Sequence, residues 1–535
     1  MNRKDYEHFG VMIDASRNAV MRPEALKRFL PLLQKMGYNT VMLYTEDTYT
    51  IEGEPYFGYM RGRYSRDELK ELDAFAASLG MELIPCIQTL AHLNTYLRWE
   101  QLPADCADLA LVDDPRTYEL IDHMFGALSE CFSSRLIHIG MDEAMLLGRG
   151  RFLEEHGYED AASIMQRHLA RVEEIAGKYG FQCMLWSDMF FRSWNNGDYY
   201  APRREMPEQA VRAVGETSAL VYWDYYHTEQ QDFDGMLHNH RQLSDKLWFA
   251  GGAWSWLGAT PSNRYSLQTM LPAMRACREH GIRNVFLTMW GDYGGDCSHF
   301  SQLASLYCIA EYARGNENEE RIRAGFRRVL GAELEDFMLL DAPNRLKGVT
   351  GNENPARYML YSDYFNDFLD YTVDPDNEAL YRDYGKKLHA LSRKYRRFAY
   401  VFRTQAALCD VLAVKYALGY KTRRAYEAGD RQALHTLAEQ DYREVEKRLR
   451  AYHRALQTQW FTDNKPCGFD VQDLRLGGIL QRTISCRRRL LDYVQGKTDR
   501  IPELEEPLLP FGGKQPGEAI SMTDIAQIVT TNVYC

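Results

Sequence analysis

The chain has 535 residues, 45% of them hydrophobic and 26% charged, with a formal net charge of −11. That length exceeds one ordinary hydrophobic core and predicts about two or three domains. The acidic balance excludes the concentrated basic surface that a nucleic-acid partner requires, and no run of about 18 apolar residues is present to cross a membrane. The basic clusters near Arg396 and at Arg487 to Arg489 fall in helical pattern and read as solvated helix faces. The first twenty residues lack the apolar core and small-residue cleavage site of a signal peptide. Eleven cysteines are scattered without C-x-x-C pairing, so a cytoplasmic protein with reduced cysteines is expected.

In chain order, short apolar runs occur at 9–15, 40–46, 82–88, 136–142, 183–189, 219–226, 249–256 and 284–291. Segments of helical periodicity lie between most of them; 23–37 and 66–80 each close on a glycine after the last turn. Near-continuous apolar runs fit strands buried on both faces, as parallel sheets require. Eight is the strand number that closes a (β/α)8 TIM barrel. The competing architecture, a doubly wound open sheet, would carry a glycine-rich first turn, whereas this chain reads "DASRNAVMRPE" there. The connection at 190–218 is weakly patterned and rich in Arg, Pro and Tyr, which reads as a long loop near the site.

Beyond residue 315 the strand pattern stops. Long amphipathic runs, such as 434–460 and 476–494, predict an all-α C-terminal domain. The expected division is a barrel over 1–315 and a helical domain over 316–535, its last thirty residues a Pro/Gly-rich tail. Three roles stay open for these helices: packing on the barrel, forming a homodimer surface, or lending a loop to the site.

In such a barrel the chemistry lies at the C-terminal ends of the strands. Here those ends carry Asp14 and Arg17, then Glu46 and Asp47, then His92, then Asp142 and Glu143. They continue with Trp186 and Asp188, Trp223 to Tyr226, Trp254 and Trp256, and finally Trp290 and Asp292. Five of the nine tryptophans therefore coincide with strand ends. Flat indole faces stack on the C–H faces of sugar rings, and carboxylates and Arg receive the hydroxyls. The pattern points to a sugar pocket, although any one of these tryptophans alone would read as core.

The adjacent acids Asp142 and Glu143 narrow the chemistry. In ordinary retaining glycosidases two carboxyls straddle the sugar, roughly 5–5.5 Å apart. Neighbours at one strand end approach from one side, so Asp142 is poorly placed to attack if Glu143 is the acid. A 2-acetamido sugar brings its own nucleophile, the amide oxygen, and a carboxylate beside the acid could accept the amide N–H as positive charge develops there. Such pairing should also separate the two proton affinities. Capping of a following helix is the alternative use of two such acids.

These residues resemble the family 20 glycoside hydrolases, the β-N-acetylhexosaminidases. "HIGMDEA" is similar to the family's His-x-Gly-Gly-Asp-Glu signature, and "DASR", "TED", "IPCIQTLAH", "LWSD" and "WGD" follow in matching order over about 300 residues. The resemblance implies retaining exo-hydrolysis of terminal β-linked N-acetylglucosamine or N-acetylgalactosamine, with no metal and no cofactor. It implies that Asp142 orients the acetamide and that Glu143 is general acid, then general base. Arg17 would hold O3 and O4, Asp292 would receive O4 or O6, and Asp47 and His92 would form a supporting Asp–His pair. Trp186, Trp254 and Trp290 would be pocket and platform aromatics, and Tyr225 would donate to the acetamide oxygen, with Tyr222 and Tyr226 as rivals. Three departures stand out: Met141 replaces the second Gly, Leu90-Ala91 replaces Pro-Gly, and Asp292 stands where Glu is usual.

Other readings remain at this stage. A metal hydrolase would use His92, His138, Asp142 and Glu143, but His138 lies within its strand and reads better as a core histidine bonded to a neighbouring strand. A retaining glycosidase could instead use Glu46 or Asp224 as its nucleophile. A non-catalytic carbohydrate-binding barrel would keep the aromatics without needing the acid pair.

Overall fold

Eight parallel strands, one at each expected apolar run, close into a barrel in the computed structural model, which describes residues 6–208, 218–509 and 517–521. They are β1 (His8–Asp14), β2 (Thr40–Tyr44), β3 (Glu82–Cys86), β4 (Leu136–His138), β5 (Gln182–Trp186), β6 (Ala219–Trp223), β7 (Leu247–Gly252) and β8 (Asn284–Met289). Each strand pairs with its neighbours in sequence, and β1 pairs with β8 from His8↔Asn284 to Ile13↔Met289 to complete the ring. The expected (β/α)8 TIM barrel is the fold observed.

The helices form where the sequence signals them. α1 (Pro23–Met36) starts on Pro23, whose missing N–H costs nothing there, and stops at Gly37 at φ 100°. α2 (Arg66–Ser78) begins with a capping box in which Ser65 and Glu68 satisfy each other's backbone N–H groups. Their apolar faces, including Phe29, Leu33, Leu69 and Leu72, are buried. Strands end earlier than the apolar runs suggest: β4 stops at His138, and β5 gives way after Trp186 to a short helix, Asp188–Arg192. A small hairpin, Ala104–Cys106 with Leu109–Ala110, lies between β3 and β4 and had no sequence signal. Of the loop expected at 190–218, residues 209–217 lie outside the described residues, as does most of the C-terminal tail.

Compactness divides the chain into two units that interleave, rather than at one boundary after residue 315. The first comprises 1–253, 266–290 and 305–330; the second comprises 254–265, 291–304 and 331–535. The segments that follow β7 and β8 thus group with the helical unit, and Glu319–Leu330 groups with the barrel. In the second unit, helix Ala399–Lys415 is buried on nearly every face and forms its centre. The run expected at 434–460 is Arg431–Thr436, a π turn over Leu437–Tyr442 and then Arg443–Asp463. The basic cluster there is less solvated than expected: Arg487 pairs with Glu446 at 2.8 Å and Arg489 with Glu503 at 2.8 Å. All ten described cysteines are free, and no described helix is long and apolar enough to cross a membrane.

One close approach limits the barrel. A Cβ on Gly10 of β1 would lie 2.7 Å from the Thr40 carbonyl oxygen of β2. Gly10→Ala is therefore expected to lower stability by about 1–3 kcal/mol through overpacking. An unchanged urea midpoint would show that the strands can separate without cost.

Candidate active site

The acid pair sits on a turn that the barrel register creates. Tyr44 of β2 pairs with Cys86 of β3, and Cys86 pairs with His138 of β4, so the chain leaves all three strands at one level. Two residues further along stand Glu46, Gln88 and Gly140. Beyond β4 the backbone turns through left-handed conformations at Gly140 (φ 72°), Met141 (φ 71°) and Glu143 (φ 53°). A Cβ at Gly140 would meet Gln88 Oε1 at 2.0 Å, so glycine is required there. Met141 keeps the conformation suited to the signature's second glycine, at a strain on the order of 1–3 kcal/mol for a non-glycine residue. The Gln88 Oε1 that excludes a side chain at Gly140 accepts the Met141 N–H at 3.1 Å and holds that turn.

Gln88 also donates through Nε2 to Asp142 Oδ1 at 2.7 Å and to the Tyr44 hydroxyl at 2.9 Å. Tyr44 in turn donates to Glu46 Oε1 at 2.9 Å. Arg17 lies 3.7 Å from that same Glu46 oxygen and 3.6 Å from Asp14, its guanidinium 4.8 Å from the Tyr44 ring centre and 4.9 Å from the Trp290 ring centre. Asp14 fixes the turn that carries Arg17 by accepting the Ser16 N–H and hydroxyl, each at 2.8 Å. A continuous polar chain therefore joins Arg17 to Asp142. Gln88 was not singled out from sequence; its only signal was an amide at the end of an apolar run.

His92 Nε2 lies 3.3 Å from Asp142 Oδ2 and 3.7 Å from Glu143 Oε2. The expected Asp47–His92 pair does not form: Asp47 is engaged by Arg61, which also reaches the Ser16 carbonyl, while His92 turns to the acids. Burial disfavours the His92 cation, but the charge of Asp142 and its polar contact with the ring together outweigh it and raise the pKa to about 9. Burial likewise opposes the Asp142 anion, but His92 and the Gln88 hydrogen bond bring it down to about 2. The neighbouring carboxyl is in a different setting, with the Glu143 side chain 44% exposed against 14% for Asp142. One acid is clamped and ionised, and the other faces outward.

Glu143 is held from the opposite side. Asp188, at the start of the short helix after β5, accepts the Glu143 N–H at 3.0 Å. Burial, reinforced by the nearby Asp142 charge, pushes the Asp188 carboxyl up to about 7. The sequence placed Asp188 at a strand end without giving it a task.

The aromatics divide by exposure. Trp290 (9% exposed) packs edge-on to Tyr44 at 4.7 Å, and Tyr225 (6%) stacks on Trp223 at 5.4 Å. Trp186 is only 1% exposed, packed on His138 at 4.4 Å and Phe286 at 5.9 Å, so it backs the strand ends rather than offering an open face. Among the three candidate tyrosines, Tyr222 is fully buried and donates to Asp224 at 2.7 Å, while Tyr226 is 46% exposed. Trp254 and Asp292 belong to the second unit, where Trp254 stacks on Trp256 at 4.1 Å. His138 is a core histidine, as expected, but it bonds within its own segment, its Nδ1 accepting the Gly140 N–H at 3.1 Å. Burial lowers its pKa to about 3, so the ring is neutral. Neither Glu46 nor Asp224 is open to a substrate: both are fully buried, and Asp224 also receives two backbone N–H groups and lies 2.7 Å from His227.

The catalytic-domain model of glycosyl hydrolase family 20 matches residues 6–245, and the Glycoside Hydrolase 20C C-terminal domain matches residues 335–523. The chain belongs to glycoside hydrolase family 20. It is thus a glycoside hydrolase, in a family of β-hexosaminidases. Hexosaminidase D of Bos taurus is 24% identical over 344 residues, covering 58% of this chain and 92% of that protein. Hexosaminidase D of Homo sapiens is 23% identical over 336 residues, covering 58% of this chain and 65% of that protein. Among solved structures, the exo β-N-acetylglucosaminidase of Vibrio harveyi in complex with N-acetylglucosamine aligns with a TM-score of 0.47 and 16% identity, over 63% of this chain and 58% of that one.

The His92–Asp142 pair has a stability signature. His92 binds its proton more tightly when folded, so its contribution is fully present below about pH 6.5 and is lost as pH rises through about 9. Asp142 works in the other direction, contributing above about pH 4 and losing that contribution as pH falls through about 2. The deficit of His92→Gln in urea midpoint should therefore be largest below about pH 6.5 and shrink towards about pH 9. A deficit that stays constant across that range contradicts the pairing.

Proposed function

We propose that this protein is an exo-acting, retaining β-N-acetylhexosaminidase that removes terminal β-linked N-acetylglucosamine or N-acetylgalactosamine, with the sugar's own amide as nucleophile. The observation that carries this reading is the asymmetry of the two adjacent acids. Asp142 is ionised and held by His92 and Gln88, whereas the Glu143 carboxyl is exposed.

In the first step the acetamide oxygen attacks C1 while Glu143 protonates the departing glycosidic oxygen. An oxazoline ring forms and the aglycone leaves as an alcohol. Asp142 accepts the amide N–H and stabilises the charge that grows on it, with no reorganisation because its partners already fix it. In the second step the Glu143 carboxylate takes a proton from water, the water oxygen bonds to C1, and the ring opens with net retention. Arg17 is the proposed partner of O3 and O4, Tyr225 the donor to the acetamide oxygen, and Trp290 the apolar platform backed by Trp186. For Trp254 and Asp292 the reading rests on the sequence resemblance alone. Asp47 acts at a distance, by anchoring Arg61 and the loop next to Arg17.

A protein nucleophile is the less favoured alternative, because the carboxylates that could serve, Glu46 and Asp224, are enclosed. A cytoplasmic address is also part of the proposal, supported by the ten free cysteines.

Glu143→Gln should lower kcat/KM on aryl N-acetyl-β-glucosaminides by about 10²–10⁴-fold, the usual worth of a general acid–base. Asp142→Asn should cost on the order of 10²–10³-fold on the same substrates and weaken thiazoline inhibitors in parallel. A nitrophenyl β-glycoside panel differing only at C2 and C4 checks the class. Equal turnover of plain β-glucosides and acetamido sugars, or a fluoro-sugar bonded to a side chain, overturns the amide mechanism.

A further inference from the structure

The "LWSD" segment ends in a carboxylate that the mechanism above leaves without work. Asp188 is fully buried, yet it sits one hydrogen bond from the exposed acid. Its Oδ2 accepts the Glu143 N–H at 3.0 Å, and its other polar partner among the described residues is Arg192 Nε at 3.4 Å. Its Oδ1 is buried and has no hydrogen-bond partner among the described residues. A buried carboxylate with half its capacity unused is costly for stability, and such a group points to a role other than folding.

The residue it holds needs holding. Glu143 is in the left-handed region at φ 53°, a conformation that persists only where the surroundings impose it. His92, at 3.7 Å, touches the side chain rather than the backbone, and among the described residues the Glu143 carbonyl is bonded only within its own turn, accepting the Met145 N–H at 2.7 Å, so Asp188 holds its N–H side. We propose that Asp188 is the positioning residue of the general acid, pinning the Glu143 backbone so that its carboxyl is presented to the glycosidic oxygen. The inference rests on the reading of Glu143 as that acid. Asp188 touches no reacting atom; it acts through Glu143.

The test compares two N-acetyl-β-D-glucosaminides that differ only in leaving group, 2,4-dinitrophenyl and 4-methoxyphenyl. A good leaving group departs without protonation, so only the methoxyphenyl substrate needs a correctly placed acid. Asp188→Ala should lose about 10²-fold in kcat/KM on the methoxyphenyl glycoside and less than about 5-fold on the dinitrophenyl glycoside. The ratio of the two rates does not depend on how much of the variant is folded, so partial misfolding cannot imitate the result. Asp188→Asn keeps an acceptor oxygen and should recover most of the loss.

An equal loss on both substrates overturns the positioning role, as does an Asn variant with the Ala selectivity. Glu143→Gln, run beside them, separates this inference from the function on which it rests. If wild type cleaves neither substrate, or Glu143→Gln shows no leaving-group selectivity, the acid assignment itself fails and the inference falls with it. If Glu143→Gln is selective and Asp188→Ala is not, only the inference is lost.

Discussion

The amide of Gln88 is the interaction on which the site depends. From just beyond β3 its side chain reaches the end of β2 and the turn after β4, binding the Tyr44 hydroxyl, the Asp142 carboxylate and the Met141 N–H together. An amide suits this place because it donates and accepts from a single planar group. A carboxylate there would repel Asp142, and an apolar side chain would take one hydrogen bond from each of the three groups. The parallel register makes this possible, since Tyr44, Cys86 and His138 lie level across three strands.

From that joint the electrostatics follow. Arg17, His92 and Arg61 bring positive charge among Asp14, Glu46, Asp47 and Asp142: Arg17 lies against Asp14 and Glu46, Arg61 against Asp47 and His92 against Asp142. The protein thereby keeps Asp142 ionised although burial favours its protonated form. The Glu143 side chain instead projects outward from a left-handed residue. Two carboxylates adjacent in sequence thus acquire different surroundings from backbone direction rather than from residue type.

Much of this was legible in the sequence. The eight apolar runs and the helices with their proline starts and glycine stops point to the barrel, and the acids and indoles of the strand ends mark the candidate site. The adjacency of Asp142 and Glu143 at one strand end was legible too, because a strand end places neighbouring residues at one level. Side-chain partnership was not legible. Asp47 pairs with Arg61, fourteen residues on, because the loop after β2 folds back on itself, and no local pattern encodes that return. The indole of Trp186 turns inward against His138 for a similar reason: an aromatic at a strand end fits a core and a pocket equally well. The interleaving of the two units depends on which loops pack with the helices, a long-range outcome that composition does not carry.

The shortest barrel strand, β4, has only three residues, yet it delivers both acids. Its own ladder is too brief to fix their orientation, and the stiffness comes from either flank: Gln88 beyond β3 grips one acid, and Asp188 beyond β5 grips the backbone of the other. The acid pair is therefore splinted between staves of the barrel that it does not belong to. Breathing of the wall at either seam would shift one carboxyl relative to the other, so the rigidity of β3 and β5 sets the spacing of the pair.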